Sequence, residues 1–518
     1  METTRLTEGT KRRYSGEQTR RSHCRSDESR ASIEESASVG ASSACTPRAR
    51  DEGTAAPKDD AKDRDEDYFR NLYTTEPNFA HLGQKYPEFG SLLKDGIHLD
   101  FTNPAAVMAL TKTLLKSDFG LEIQLPSNRL CPPVPNRHNY ILWLKELLDS
   151  TSSSYAEQYE PERKVTGLDI GTGASLIYPL LGCAQRSGWR FVATDIDVES
   201  LACARGNARL NRLDSRVRIV DRGGHEVVLI PLDELNIESI DFVMVNPPFY
   251  GSETELLDLA RQKSQPPHSA CTGAPVEMVC EGGEVKFVGR MIEESLNLGG
   301  RVQWYTAMLG KSSSLEALVE ILNRHNINNF AVTTFVQGSK TRRWGLAWSF
   351  ISRRPSLEAS RGLLGSAATA KKYLPPITAV TIYKSSFQAQ TDTIPLLKNT
   401  LLGMIESLDL CLWTWDERRL RGVGFSEGNV WSRAYRRKRA GVRADEGAVT
   451  NPETLVPSPD VSHCAFGFSI SILPESPDKP NSGTAILLRW LQGDDELLFE
   501  SFSGLIRRCL RTDAGDSS

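Results

Sequence analysis

From residue 164 the chain alternates short apolar runs with stretches in which apolar side chains return every three or four residues. The runs KVTGLDIG, WRFVATDID, RVRIVD, IDFVMVN and RVQWYTAML are bounded by Gly, Asn or Asp and read as buried strands. Between them, helices are predicted from Ser175, from Glu199, over VKFVGRMIEESLN and over SLEALVEILNRH. Strict strand and helix alternation predicts a doubly wound, Rossmann-like α/β sheet across 164–352. Its last two strands, NFAVTTFVQG and RRWGLAWSFIS, are joined by GSKT with no helix between, so the sheet should end in an antiparallel hairpin.

The flanks carry different patterns. Upstream, Asn103-Pro104 offers a helix start, followed by Val107, Leu110, Leu114 and Leu115 at helical spacing, and HNYILWLKELLDS continues this N-terminal helical extension. Downstream, PPITAVTIYKSS, IPLLKNTLLGMIESL, LCLWTWDERRLRGVGF, AFGFSISIL, TAILLRWLQ and LFESFSGLIRRCL predict a small α+β domain. Within it, AYRRKRAGVRADEGAVTNPETLVPSPD reads as a basic loop with a flexible continuation, about 440–462. The expected organisation is a disordered tail over 1–66, an α/β domain with its helical extension over 67–354, a linker over 355–373 and an accessory domain over 374–518. Two insertions, RGGHEVVLIPLDELNIES and TELLDLARQKSQPPHSACTGAPVEMVCEGG, flank the IDFVMVN strand, where α/β proteins keep substrate-binding loops.

Composition narrows the choices. A net charge of -4 gives no global basic signature, so contact with nucleic acid has to come from local patches. One such patch is TKRRYSGEQTRRSHCR in the tail, which suits a nuclear-import signal, an RNA-contacting arm or a merely solvated tail. The 10 cysteines form no CxxC pair, and HExxH is absent, so reduced thiols and no metal are expected. Without a signal-like apolar region or a run approaching the roughly 18 apolar residues of a membrane span, a soluble intracellular protein is expected.

The chemistry concentrates at three strand ends. GLDIGTGAS puts Asp169 at the end of one strand and Gly171 and Gly173 in the turn that follows, where positive φ and a close backbone allow a ligand to approach. Leu176 replaces the third glycine of GxGxxG, which disfavours a phosphate-gripping site. The next strand ends at Asp195, placed to hold a ribose diol, although an acid there also serves as a helix cap. The fourth strand ends in Asn246-Pro247-Pro248-Phe249. The Asn246 side-chain carbonyl and the Pro247 backbone carbonyl are two acceptors for one exocyclic amino group, and Phe249 supplies a face for a flat base. That constellation suits alkylation of a planar amine, by positioning alone and without a metal.

DIGTGAS, ATDID and NPPF together resemble the class I S-adenosylmethionine-dependent amino-group methyltransferases. FTNPAAVMALTKTLLKSDFGLEI, PNRHNYILWL, GLDIGTGASLIYPLLG, CEGGEVKFVGRMIEESL, RVQWYTAMLGKSSSL and FVQGSKTRRWGLAWSF are similar to the methyltransferase-like enzymes that methylate N6 of an adenine in U6 small nuclear RNA, and to bacterial relatives acting on 23S ribosomal RNA. The resemblance implies S-adenosyl-L-methionine as cofactor. Arg137 would lie at its carboxylate, Asp169, Gly171, Gly173, Ser175 and Asn246 along its length, and Asp195 at its ribose, with Asn246 to Phe249 as the adenine pocket. It further implies RNA as partner, U6 small nuclear RNA foremost, in a monomeric protein of the nucleus, with the cytoplasm as a second compartment.

Where the family has a lysine-bearing loop that can occlude the cofactor pocket, this chain has His225 and Glu226, which puts that gating in question. Glu284 and Lys286 match a family helix start and are read as capping and solvation. Lys311, Lys340, Arg342, Arg343, residues 436–439 and the N-terminal arm are candidates for RNA phosphates. The accessory domain would be a counterpart of the C-terminal domain that adds RNA affinity in animal relatives. Two other functions fit the residues: methylation of a protein glutamine amide, for which NPP followed by Tyr is the usual form, and a catalytically idle RNA-binding protein on the same fold.

Overall fold

The computed structural model describes residues 64–223, 228–252, 254–255, 273–337, 341–362, 373–384, 393–445, 460–474 and 483–515. All of them fall in Lys62–Ser518, the larger of the two units into which the chain divides. The basic arm, most of the expected tail, His225, Glu226, Lys340 and the greater part of the second insertion lie outside the described residues.

The N-terminal extension begins with helix α1 (Glu66–Asn71), whose first turn is capped by Asp65. Its Glu66 pairs with Lys145 at 2.8 Å and Arg186 at 2.9 Å, two almost fully buried cations, so the last residues of the expected tail are built into the fold. Phe79–Lys85 forms α2. Helix α3 (Pro104–Leu114) starts as its sequence predicts, with the Asn103 side chain accepting from the Ala105 N–H and proline in the first turn. Helix α4 (Val134–Ser150) buries Tyr140, Ile141, Trp143, Leu144, Leu147 and Leu148 against the first sheet.

That sheet contains β1 (Val165–Ile170), β2 (Trp189–Asp195), β3 (Val217–Asp221), β4 (Ile240–Val245), β5 (Val302–Leu309), β6 (Phe330–Gln337), β7 (Thr341–Trp348) and the two-residue β8 (Arg361–Gly362). Their spatial order is β8-β6-β7-β5-β4-β1-β2-β3. Strands β1 to β5 are parallel, and β7 runs antiparallel to both neighbours. The predicted terminal hairpin is therefore present, with its return strand inserted between β5 and β6. Helices α5 (Ile177–Gln185), α6 (Val198–Leu210), α7 (Gly283–Leu298) and α8 (Ser312–Arg324) fill the connections. One core joins α4 and α5 to Phe242, Met244, Trp304 and Phe335 on one face. A second joins α7 and α8 to Val243, Val245, Tyr305 and Trp348 on the other. Strand order reverses between β1 and β4, and the crevice at their C-terminal ends is where such sheets bind ligands.

A second, antiparallel sheet follows, made of β9 (Ala379–Lys384), β10 (Leu412–Asp416), β11 (Arg421–Ser426), β12 (Phe466–Pro474) and β13 (Thr484–Gln492) in the order β9-β13-β12-β11-β10. Helices α9 (Thr393–Glu406) and α11 (Glu496–Gly515) contribute Leu401, Ile405, Phe499, Phe502 and Ile506 to its core. Residues 433–445, read from sequence as a basic loop, form helix α10 (Arg433–Asp445).

The two sheets are joined by buried ionic and polar contacts. Glu157 pairs with Arg421 and Arg489, Arg354 donates to the Gly493 carbonyl at 2.7 Å, and Tyr155 donates to the Gln492 side chain.

Candidate active site

The turn after β1 is built to leave a space beside its backbone. Gly171 has φ +68°, and a Cβ there would meet nothing within 4 Å. Its N–H and that of Thr172 both donate to the Thr194 carbonyl, at 2.9 and 3.0 Å, which pins the turn to the end of β2. Leu176, where the third glycine is missing, is held at φ 55° and fully buried. A branched side chain in the left-handed region is costly, and packing holds it there. Asn207 on α6 closes the arrangement, donating to the Ala174 and Gln124 carbonyls at 2.9 Å each.

Three carboxylates surround this turn. Asp169 is fully buried; Oδ2 accepts from the Thr172 hydroxyl at 2.6 Å and Oδ1 has no partner among the described residues. Burial pushes its carboxyl up to about 7. Asp195 accepts from the N–H groups of Gly173, Ile196 and Asp197 at 2.8, 2.8 and 3.0 Å, and burial still raises it. It is not a helix cap: Asp197 takes that role, accepting from the Ser200 N–H at 2.8 Å, and is itself fixed by Arg129. Glu277 accepts from the Leu130 and Ala274 N–H groups at 2.9 and 2.8 Å, and its Oε1 lies 3.7 Å from where a Cβ on Gly173 would be. Burial raises this acid too.

Arg137 faces the same space from α4. It is 5% exposed and donates to the Tyr178 hydroxyl at 2.9 Å and toward the Met308 sulfur at 3.0 Å, and no carboxylate pairs with it among the described residues. Ser175 is buried in the turn. A buried guanidinium without an acid, beside acids that burial holds above their ordinary range, fits a ligand with one carboxylate and separate positive charge. S-adenosyl-L-methionine has that charge pattern.

Across the crevice, Asn246 follows β4. Its Oδ1 is buried and has no hydrogen-bond partner among the described residues, an unusual state for an amide carbonyl. The strand that presents it is tied in place: Tyr140 contacts the Thr306 hydroxyl at 2.8 Å, and Thr306 donates to the Val243 carbonyl at 2.9 Å. Pro247 is buried, and the Pro248 carbonyl accepts from the Cys280 thiol at 3.9 Å. Phe249 packs against Gly310, where a Cβ would come within 2.8 Å of the ring, so only glycine fits there. The Arg343 guanidinium lies over the Phe249 ring, 5.2 Å from its centre, and burial with Arg137 nearby pulls its pKa down.

The structure thus brings together Arg137, Asp169, Gly171, Gly173, Ser175 and Asp195 on one side and Asn246 to Phe249 on the other. Glu284 is not a cap: only 2% exposed, it accepts from the Gly310 and Lys311 N–H groups at 2.6 and 3.1 Å and so fixes the backbone against Phe249. Lys286 is exposed and paired with Glu281. Of the RNA candidates, Lys311 pairs with Glu255 at 2.9 Å, Arg342 is exposed, and residues 436–439 lie on α10 of the other sheet. Glu277 carried no sequence signal, since it sits inside a long insertion.

The sequence model of a family described as RNA methyltransferase matches residues 63–352. This chain belongs to that RNA methyltransferase family. Among its relatives, the U6 small nuclear RNA (adenine-(43)-N(6))-methyltransferase of Schizosaccharomyces pombe is 42% identical over 283 residues, covering 55% of this chain and 69% of that protein. The Homo sapiens RNA N(6)-adenosine-methyltransferase METTL16 is 35% identical over 413 residues, covering 75% of this chain and 70% of that protein. A crystal structure of the N-terminal domain of human METTL16 in complex with SAH shares 38% identity, covers 54% of this chain and 97% of that one, and has a TM-score of 0.45. In this RNA methyltransferase the matched span contains the whole crevice, from Arg137 to Arg343.

Proposed function

We propose that this RNA methyltransferase transfers a methyl group from S-adenosyl-L-methionine to N6 of an adenine in RNA, with U6 small nuclear RNA as substrate. The observation that carries the reading is the buried Oδ1 of Asn246, without a hydrogen-bond partner among the described residues, near Phe249 at the point where strand order reverses. An acceptor left open in that position is preorganised for a donor, and an adenine amino group supplies one. The names of the S. pombe and human relatives support adenine-N6 in RNA, and that of the S. pombe relative supports U6.

When bound, S-adenosyl-L-methionine supplies an electrophilic methyl group. Arg137 would hold its carboxylate, Asp195 its ribose hydroxyls, and the Gly171 turn would lie against it, with Asp169, Gly173 and Ser175 lining the site. Phe249 would take the unstacked adenine on its ring. Asn246 Oδ1 and the Pro247 carbonyl would accept the two N–H bonds of the amino group, which turns the nitrogen lone pair toward the methyl donor. No general base is needed before transfer, because the methylated nitrogen carries an acidic proton that leaves to solvent afterwards.

The same reading makes residues 374–518 an accessory domain whose exposed α10 cations meet RNA phosphates, and makes the nucleus the working compartment. The test incubates the full chain with methyl-labelled cofactor and a U6 transcript, then digests the RNA to nucleosides. Label in N6-methyladenosine is expected. Label in another nucleoside, or in protein glutamine, overturns the proposal.

A further inference from the structure

In the second sheet, far from the crevice, three metal-ligating side chains converge. Cys411 lies just before β10, and His463 and Cys464 lie just before β12. Their ligating atoms are all within 4.8 Å of one another. His463 Nε2 is 4.0 Å from Cys464 Sγ.

The backbone around them is set without help from a ligand. The Cys411 N–H donates to the Phe425 carbonyl at 2.8 Å, and the Cys464 N–H to the Val461 carbonyl at 3.1 Å. Gln492 Nε2 donates to the Val461 and Cys464 carbonyls, at 2.8 and 2.7 Å. The Asp460 carboxylate accepts from the Ser462 N–H at 2.9 Å, which fixes the turn leading into His463.

We propose that Cys411, His463 and Cys464 form a zinc site. Two thiolates and a neutral imidazole are the ligand types that zinc prefers, and the two thiolate charges balance those of Zn2+. Binding releases two protons, one from each thiol. The fourth position is open to water, because Cys411 and His463 are exposed.

The site matters because of what Gln492 also does: its Oε1 accepts from the Tyr155 hydroxyl, in the segment between α4 and β1. A metal here would brace the segment before β12 at the seam where the second sheet meets the first. The expectation of no metal rested on the lack of short Cys and His spacings. Only the fold brings Cys411 next to the distant His463-Cys464 pair.

The experiment measures the zinc content of the full chain purified without chelator, then titrates the chelator-treated chain with cobalt(II). About one zinc per chain is expected, and cobalt should give a thiolate charge-transfer band with tetrahedral d–d bands that zinc abolishes. Cys411→Ser and His463→Gln, both at exposed positions, should each lose the zinc and the cobalt bands while circular dichroism stays that of the parent. Cys203→Ser, on α6, should change neither. Zinc content unchanged in both site variants would overturn the proposal. So would a chain that takes up no zinc or cobalt, or one whose unreduced peptides show Cys411 and Cys464 joined as a disulfide.

Discussion

Asn246→Ala separates a residue that works on substrate from one that holds the fold. The Asn246 Oδ1 is buried and makes no hydrogen bond among the described residues. A buried acceptor left unmade costs about 1–3 kcal/mol. Removing it should leave stability unchanged or raise it by up to about 1 kcal/mol, once the small cavity is set against the relief. In the reaction the same oxygen holds one N–H of the adenine amino group, and loss of a preorganised partner of this kind costs about 100- to 1,000-fold in rate, or ~3–4 kcal/mol. Three measurements on one variant follow: denaturant unfolding, calorimetric titration with S-adenosyl-L-methionine, and single-turnover methyl transfer to RNA. The expected pattern is unimpaired stability, cofactor affinity within a few-fold of the parent, and transfer slowed by at least about 100-fold. A variant that unfolds several kcal/mol more easily, or that transfers methyl at the parental rate, would refute the reasoning.

Asp169 predicts a pH dependence: burial raises its carboxyl to about 7, so between the unfolded value near 4 and 7 the folded state holds the proton more tightly. Stability should therefore fall as pH rises across that window, by at most about 4 kcal/mol, and level off above it; Asp169→Asn should remove this contribution, and an unchanged slope in that variant would contradict it. Arg137→Met removes a buried cation that has no acid partner among the described residues, so the fold should persist while cofactor affinity drops about 100-fold by calorimetry. Glu157→Gln weakens the half-buried pairs with Arg421 and Arg489 and should cost about 1–3 kcal/mol in unfolding, a loss absent if the two sheets are joined mainly by apolar contact.

The strand and helix alternation was legible because each strand of a parallel sheet is buried on both faces and so reads as a continuous apolar run. Asp169, Asp195 and Asn246 could be picked out because polar groups directly after such runs have to sit at strand ends. The insertion of β7 between β5 and β6 was not legible, since the pattern records which strands follow one another and not which pair. Helix α10 was missed for a related reason: RAYRRKRAGVRAD has almost no apolar stripe, although its Arg, Ala and Lys favour helix. Glu277 over Gly173, Arg343 over Phe249 and the Cys411 cluster are all contacts between distant segments. Their residues carry no local pattern, and only the folded chain brings them together.

The central claim is that the end of β4 presents adenine in RNA to the cofactor. It is tested most directly by mass spectrometry of U6 small nuclear RNA from cells with this chain, without it, and with Asn246→Ala in its place. The account predicts N6-methyladenosine in U6 only where the unmodified chain is present. Full methylation in cells lacking the chain, or in cells carrying only the Asn246→Ala form, would contradict it.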